Sequence, residues 1–443
     1  MVFHQFFYKK VSDFITEPLR LIFERSYEDG VVPNFFRQSI VTPVHKKGPK
    51  DCLDNYRPVA QSSIACIIFE KILIDHINEF VSVNGIGDVS QHGFTKGLST
   101  ETQLIQIVHD WSLKLNKNEQ FSCIYFDFSK AFDRVNHSLL LHKLNNLGIH
   151  KKTTDWIGSY LTNRSFQVRM NETLSGASPC SSGVPQGSCL GPILFKLFLL
   201  DLPREIPSGI AHKLFADDLK IYNVFSTCDL MLLEQTIDSI AKWCALNDMV
   251  ISVPKCAVLS SFGQPCNLYL TGSLIPVVKV YKDLGVLMTP SLDFSDHISH
   301  VVKNASRVCS LIFRSFVIKR PQFYIRLYKS LVEPILTYCS TVWSPHKAKD
   351  VIALESIRSR FIKRLSRRCN IAKKSILLKS VMELHREMDI RMYHRLQCLG
   401  IAEHLFEVEI NNLRSVNTIR SLQVARTEKI NNTYSFRLPR IIR

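Results

Sequence analysis

Residues 213–222 read KLFADDLKIY, two adjacent acids inside a stretch that otherwise alternates like a β-strand. Burying a carboxylate with no partner costs roughly several kcal/mol, and two side by side also repel. The chain must therefore fold so that KLF and LKIY are strands and Asp217 and Asp218 lie at the turn joining them. Asp-Asp is a poor tight-turn pair beside Asn-Gly, so stability alone does not select it. The pair is rewarded where divalent cations bind, because magnesium takes oxygen ligands, typically one or two carboxylates plus substrate phosphates. An exposed acidic turn is the plain alternative, and the triplet alone leaves it open.

A third acid stands at the end of another strand. In FSCIYFDFSKAFDRVNH, Phe121, Cys123 and Tyr125 alternate with Ile124 and Phe126, so both faces are apolar, as in a central strand, and Asp127 closes it. Taken alone, Asp127 caps the next helix or joins the other acids at a metal. Two divalent ions about 3.5–4 Å apart stabilise the attacking and leaving oxygens of phosphoryl transfer. Elsewhere, ITEPLRLIFERSYEDG predicts a helix ended by Gly30, SIVTPVHKKG a strand running into a basic turn, and SSIACIIFEKILIDHINEFV an amphipathic helix. SLLLHKLNNLG predicts a helix stopped by Gly148. GVPQGSCLGPILFKLFLLDLP is a glycine-rich loop entering a buried helix, with Pro192 in its first turn. From about residue 296 the pattern is helical and basic, densest in RFIKRLSRRC.

Composition narrows the partner. Fifty-six Lys and Arg against 39 Asp and Glu give a formal net charge of +17. That excess favours a polyanion, nucleic acid first, with a merely basic soluble protein as the alternative. A hydrophobic content of 46% over 443 residues supports a folded chain with a large core. The 13 cysteines show neither CxxC pairs nor zinc-finger spacing, which argues against a zinc module and a disulfide framework and suits a reducing compartment, nucleus or cytoplasm. No apolar run approaches the roughly 20 residues needed to span a bilayer, so no membrane partner is expected.

The blocks and their order resemble the reverse transcriptases of non-long-terminal-repeat (LINE-type, jockey-like) retrotransposons over almost the whole chain. VTPVHKKG…NYRPVAQSS and QHGFTKGLST resemble the fingers motifs, YFDFSKAFDRVNH and GVPQGSCLGPILF the first two palm motifs, and FADD the catalytic hairpin. WCALNDMVISVPK, YKDLGVLM and LYKSLVEPILTYCSTVW resemble the segments that follow. The resemblance implies an α+β right-hand polymerase, with fingers over 1–120, palm over 121–290 and a helical thumb with basic tail over 291–443. The reverse transcriptase domain as a whole would run from about 25 to 290. It implies RNA-directed DNA synthesis: a DNA primer 3′-hydroxyl, template RNA, deoxynucleoside triphosphates and two Mg²⁺ ions, with Mn²⁺ as a substitute.

Residue by residue, the resemblance makes Asp127, Asp217 and Asp218 the catalytic acids, with the Phe128 carbonyl as a further metal ligand. Phe132, five residues after Asp127, becomes the gate that excludes a 2′-hydroxyl; without the family it reads as core packing. Lys46, Lys47 and Arg57 would grip the triphosphate, where a KKG turn is otherwise solvated surface. Gln186 and Gly187 would touch the nucleotide and template. Lys255 would protonate the leaving pyrophosphate, although the usual Asn three residues before it is absent here and Ser252 stands in that place. Leu284 and Gly285 would support the primer end. Arg364, Arg367 and Arg368 are the candidate duplex contacts. The family's fingers usually begin further upstream, so the fingers are expected to be N-terminally incomplete, and no second nuclease site is expected. A degenerate remnant that binds RNA without catalysis is the alternative.

Overall fold

The computed structural model describes residues 10–46, 48–223, 230–261, 267–411, 416–421, 434 and 437. The predicted first helix forms as α1, Ser12–Glu28, and the chain leaves it through Gly30 at φ +64°. Strands β1 (Gln38–His45) and β2 (Tyr56–Gln61) make an antiparallel hairpin. The amphipathic segment becomes α2, Ile64–Val83, capped by the Ser63 side chain and burying Cys66, Phe69, Glu70, Leu73 and Ile77 along one face. Helix α3 spans Thr100–Asn116. The apolar run is β3, Ser122–Phe126, buried at every position.

After β3 come α4 (His137–Asn146), α5 (Lys151–Leu161) and β4 (Arg164–Met170). Strand β4 does not join the palm. It runs parallel to β1, pairing Gln38 with Ser165 and Val41 with Val168, so the fingers sheet takes strands from both sides of the expected boundary at residue 120. The glycine-rich loop leads into α6, Leu190–Phe198, almost wholly buried with Pro192 in its first turn.

The palm sheet is completed by β5 (Ile210–Phe215), β6 (Asp218–Asn223), β7 (Ala257–Ser260) and β8 (Val277–Val278). Helix α7, Leu230–Leu246, lies between β6 and β7 in the chain. The strand order is β8-β7-β3-β6-β5, which makes β3 central, as its two apolar faces require. Ile124 and Phe126 join the core shared with α2, α4, α5 and α6, whereas Cys123 and Tyr125 join a second core on the opposite face.

That second core is thumb-side and helical. A small hairpin, β9 (Tyr281–Asp283) and β10 (Val286–Met288), leads into α8, Ser295–Ser315, which buries Ile298, Val301, Ala305, Ile312 and Phe313 at helical spacing. Helices α9 (Ala348–Cys369) and α10 (Val381–Cys398) pack with it, and so does α3 through Leu104, Val108 and Trp111. The tail departs from the helical expectation: Phe406–Asn411 pairs antiparallel with Val416–Ser421, in line with the β-branched content of FEVEIN and VNTIRS. Among the described residues no helix is long and apolar enough to cross a membrane.

Candidate active site

Strand register brings the acids together. Phe126 pairs with Leu219, so the next rung sets Asp127 beside Asp218. On the other side of β3, Tyr125 pairs with Ala257, and two rungs on Asp127 meets Lys255. The Lys255 ammonium lies 3.2 Å from Asp127 Oδ2. The main chain just past β3 is pinned by Ser252 N–H to the Asp127 carbonyl (2.8 Å) and by Ser129 N–H to the Val250 carbonyl (2.7 Å). Neither of these bonds uses the Phe128 carbonyl.

The β5–β6 hairpin turns one residue earlier than the acids suggest. Phe215 pairs with Asp218, so the two turn residues are Ala216 and Asp217, and Asp218 already belongs to β6. Ala216 carries the unusual backbone, at φ +56°. A non-glycine residue there costs roughly 1–3 kcal/mol and persists only where its surroundings hold it, most often at functional sites.

The electrostatics fit a cation. Burial pushes Asp217 above the usual carboxylate range and the charge of Asp127 adds to it, while Arg57 and Lys46 oppose it. Burial and then the Asp217 charge push Asp218 up to about 6, with Lys220 opposing. Asp217 and Asp218, both raised and both on a hairpin with apolar flanks, are short of compensating charge. Among the described residues no group of three His, Cys, Asp or Glu side chains is already assembled as a metal cage. Lys255 is the cation at Asp127 in this arrangement.

The fingers supply positive charge from above. Lys46 N–H donates to the Asn55 carbonyl (2.8 Å), which extends the β1–β2 pairing by one bond into the connecting loop, and Arg57 lies opposite Val44. Both are exposed, and both act on Asp217. Lys47 lies outside the described residues. Phe132, five residues after Asp127, is stacked on Phe195 with ring centroids 4.3 Å apart and meets Phe94 edge-on at 6.1 Å.

The glycine-rich loop is tied to its surroundings. Gln186 Nε2 donates to Asp133 Oδ1 (2.9 Å), so its side chain is held by the palm, and its carbonyl accepts from Ala60 N–H of β2 (2.7 Å). Gly187, at φ +118°, lies so close to β2 that a Cβ would fall 2.3 Å from the Ala60 carbonyl oxygen. The residue is glycine because the fingers strand leaves no room. Leu284 and Gly285 form the β9–β10 turn, both at positive φ, and Tyr338 Oη donates to the Leu284 carbonyl (2.8 Å).

The basic patch is only partly available. Arg368 donates to the carbonyls of Phe316 (2.9 Å) and Phe313 (3.1 Å) at the end of α8, and Arg364 lies 4.8 Å from the centre of the Phe313 ring. Two of the three arginines therefore tie α9 to α8, and Arg367 is exposed.

The sequence reading missed two supports. Lys220, two residues after Asp218 on the same face of β6, forms a buried ion pair with Asp283 of β9 at 2.5 Å. Above it Tyr125 stacks on Tyr281 at 3.7 Å. The two-residue spacing from Asp218 was the available signal. The second is Gln91, whose side chain binds the Ala216 backbone; the glycine after QH marked a close approach without naming its partner.

A central sheet, antiparallel except at its short edge strand β8, that presents carboxylates from two adjacent strands beneath a fingers hairpin and beside a helical thumb is the palm of a right-hand nucleic-acid polymerase. Residues 44–288 match the family model described as reverse transcriptase (RNA-dependent DNA polymerase), and the chain belongs to that family. It is 26% identical over 366 residues to the RNA-directed DNA polymerase from mobile element jockey of Drosophila melanogaster, covering 79% of this chain and 40% of that protein. It is 24% identical to the probable RNA-directed DNA polymerase from transposon BS of the same fly, covering 73% and 38%. The chain thus spans well under half the length of these curated relatives. Among solved structures it is similar to apo telomerase from Candida tropicalis, at 13% identity and a TM-score of 0.46, over 88% of this chain and 73% of that one.

Proposed function

We propose that this chain is the polymerase of a non-long-terminal-repeat retrotransposon, extending a DNA primer 3′-hydroxyl on an RNA template with deoxynucleoside triphosphates. The observation that carries this is the register of β3 with β6 and β7, which sets Asp218 and Lys255 on either side of Asp127. Asp127, Asp217 and the Phe128 carbonyl would hold two Mg²⁺ ions, or Mn²⁺ in their place, with Asp218 as a weaker ligand. Bound there, the ions would supply charge stabilisation to the attacking and leaving oxygens.

The chain's own residues do the rest. Lys46 and Arg57 hold the triphosphate oxygens, Arg through a planar fork and Lys as a point charge. As the primer 3′-hydroxyl gives up its proton to solvent and its oxygen bonds to the α-phosphorus, the bond from that phosphorus to the oxygen bridging to the β-phosphate breaks. Lys255 releases its contact to Asp127 and gives a proton to the departing pyrophosphate. Phe132, braced by Phe195, blocks a 2′-hydroxyl. Leu284 and Gly285 support the primer end. The basic surface holds the template–primer duplex mainly through its phosphates. Such a protein would work in the nucleus or cytoplasm, where free thiols persist.

The test is primer extension by the purified chain with Mg²⁺, beside Asp217→Asn. Loss of a ligand charge is expected to slow extension about a thousandfold or more, with template–primer binding retained. A variant that extends at the parental rate removes the metal assignment. A parent that binds template–primer yet never extends it marks a non-catalytic remnant.

A further inference from the structure

Gln91 is buried, and its side-chain amide bonds only to backbone groups, chiefly those of Ala216. Oε1 accepts from the Ala216 N–H (3.1 Å) and the Gly93 N–H (2.9 Å), and Nε2 donates to the Ala216 carbonyl (3.3 Å). One side chain thus engages both polar groups of the residue that turns the catalytic hairpin. The Ala216 N–H belongs to the peptide plane before that residue, and its carbonyl to the plane shared with Asp217. Holding both planes fixes the left-handed backbone of Ala216, at φ +56°, and with it the direction of the Asp217 Cα–Cβ bond.

The rest of the segment is built to deliver this contact. His92 N–H donates to the Leu214 carbonyl (2.8 Å), and Leu214 N–H to the Ser90 carbonyl (3.0 Å), so residues 90–92 run alongside β5. Gln103 Nε2 donates to that same Leu214 carbonyl (2.7 Å). A Cβ on Gly93 would fall 2.2 Å from the Ala216 nitrogen, an approach only glycine permits. Phe94, itself at φ +57°, then turns its ring toward Phe132.

We propose that Gln91 is a positioning residue of the active site: through the Ala216 backbone it holds the turn in the one conformation that aims the Asp217 carboxylate at the catalytic cations. The inference rests on the reading of Asp217 as a metal ligand. It differs from a packing role because it predicts that backbone freedom at residue 216 substitutes for the clamp. In Gln91→Met the turn relaxes toward negative φ, since alanine resists the left-handed region. Adding Ala216→Gly makes that region freely accessible again.

The experiment uses the full chain with a template–primer ended by a dideoxynucleotide and a matching deoxynucleoside triphosphate. Mn²⁺ binding is followed by calorimetry, extension by kcat and KM on an unblocked primer, and exchange of the Ala216 amide by mass spectrometry. Gln91→Met is expected to weaken Mn²⁺ binding, speed Ala216 exchange and lower kcat about a hundredfold, as a misplacement of order 1 Å can. Template–primer affinity should stay unchanged. Gln91→Met with Ala216→Gly should recover much of the Mn²⁺ affinity and kcat. If Gln91→Met does not fold, Gln91→Glu carries the test, since it keeps an acceptor for both N–H groups and loses only the donor to the Ala216 carbonyl. Parental Mn²⁺ affinity and kcat in the single variant overturn the proposal. So does a double variant no better than the single one, which would make Gln91 a packing residue. Parental extension by Asp217→Asn would instead remove the underlying metal reading.

Discussion

Replacing Lys220 by Met should cost this protein more stability than any other single change near the acids, and replacing Asp283 as well should return most of it. The Lys220 and Asp283 side chains are 1% and 3% exposed and 2.5 Å apart. Asp283 Oδ2 has no hydrogen-bond partner among the described residues, so the ammonium carries most of the compensation for that carboxylate. Lys220→Met leaves the Asp283 charge buried and unpaired, a loss of about 3–5 kcal/mol. Lys220→Met with Asp283→Leu removes both charges, and the double variant should lie within about 1 kcal/mol of the parent, because a buried pair is roughly neutral against well-packed apolar groups. Urea unfolding monitored by tryptophan fluorescence measures all four corners of the cycle. Extension adds a second readout. Lys220 opposes the upward shift of Asp218, whereas Asp283 reinforces it. The single variant should therefore need a higher pH for half-maximal extension, and the double should return toward the parental profile. A Lys220→Met protein as stable as the parent, or a double variant as unstable as the single, would refute the buried-pair reasoning.

Asp218, raised to about 6, is protonated in the metal-free fold over a range where the unfolded chain is ionised. Its contribution to stability is therefore fully present below about pH 4 and is lost as pH rises through about 6. Urea midpoints without Mg²⁺ should fall more steeply with pH in the parent than in Asp218→Asn, where only the raised Asp217 of the pair remains. Extension needs the ionised form, so its rate should rise with pH through about 6, with the midpoint moving lower as Mg²⁺ is raised; a midpoint indifferent to Mg²⁺ would separate Asp218 from the cations. Arg368→Ala should lower stability by about 1–2 kcal/mol through its two carbonyl bonds. Arg367→Ala should instead reduce the slope of log affinity against log salt by about 0.7–0.9 if it meets a phosphate, and equal stability losses in the two variants would contradict this division. Phe132→Val should raise the rate with a ribonucleotide relative to its deoxynucleotide partner, and an unchanged ratio in a folded variant would return Phe132 to the core.

Much of this was legible in the chain itself. Alternation in FSCIYF required a strand apolar on both faces, and such a strand can only be central. The adjacent acids in FADD pointed to a turn, because an apolar strand could not bury both, although the structure keeps only Asp217 in the turn and gives Asp218 to β6. Helical spacing set α1, α2 and α8, and the order of the blocks was enough to indicate the family. These features are local: they follow from the side-chain period of 2 or 3.6 and from the cost of burying charge.

Tertiary structure decided what depends on partners far away in sequence. Alternation does not say which residues of two strands face each other, so only the register of β3 with β6 and β7 put Lys255 and Asp218 on either side of Asp127. The turn shifted from Asp-Asp to Ala216–Asp217 because Gln91, 125 residues away, binds the Ala216 backbone. Strand β4 left the palm range for the fingers sheet, since pairing with β1 is a long-range choice that local pattern does not encode. Arg364 and Arg368 read as a duplex-binding patch along the sequence and became ties between α8 and α9 once those helices packed. A charge declares itself in the sequence, but what it neutralises is fixed only when the chain has chosen its neighbours.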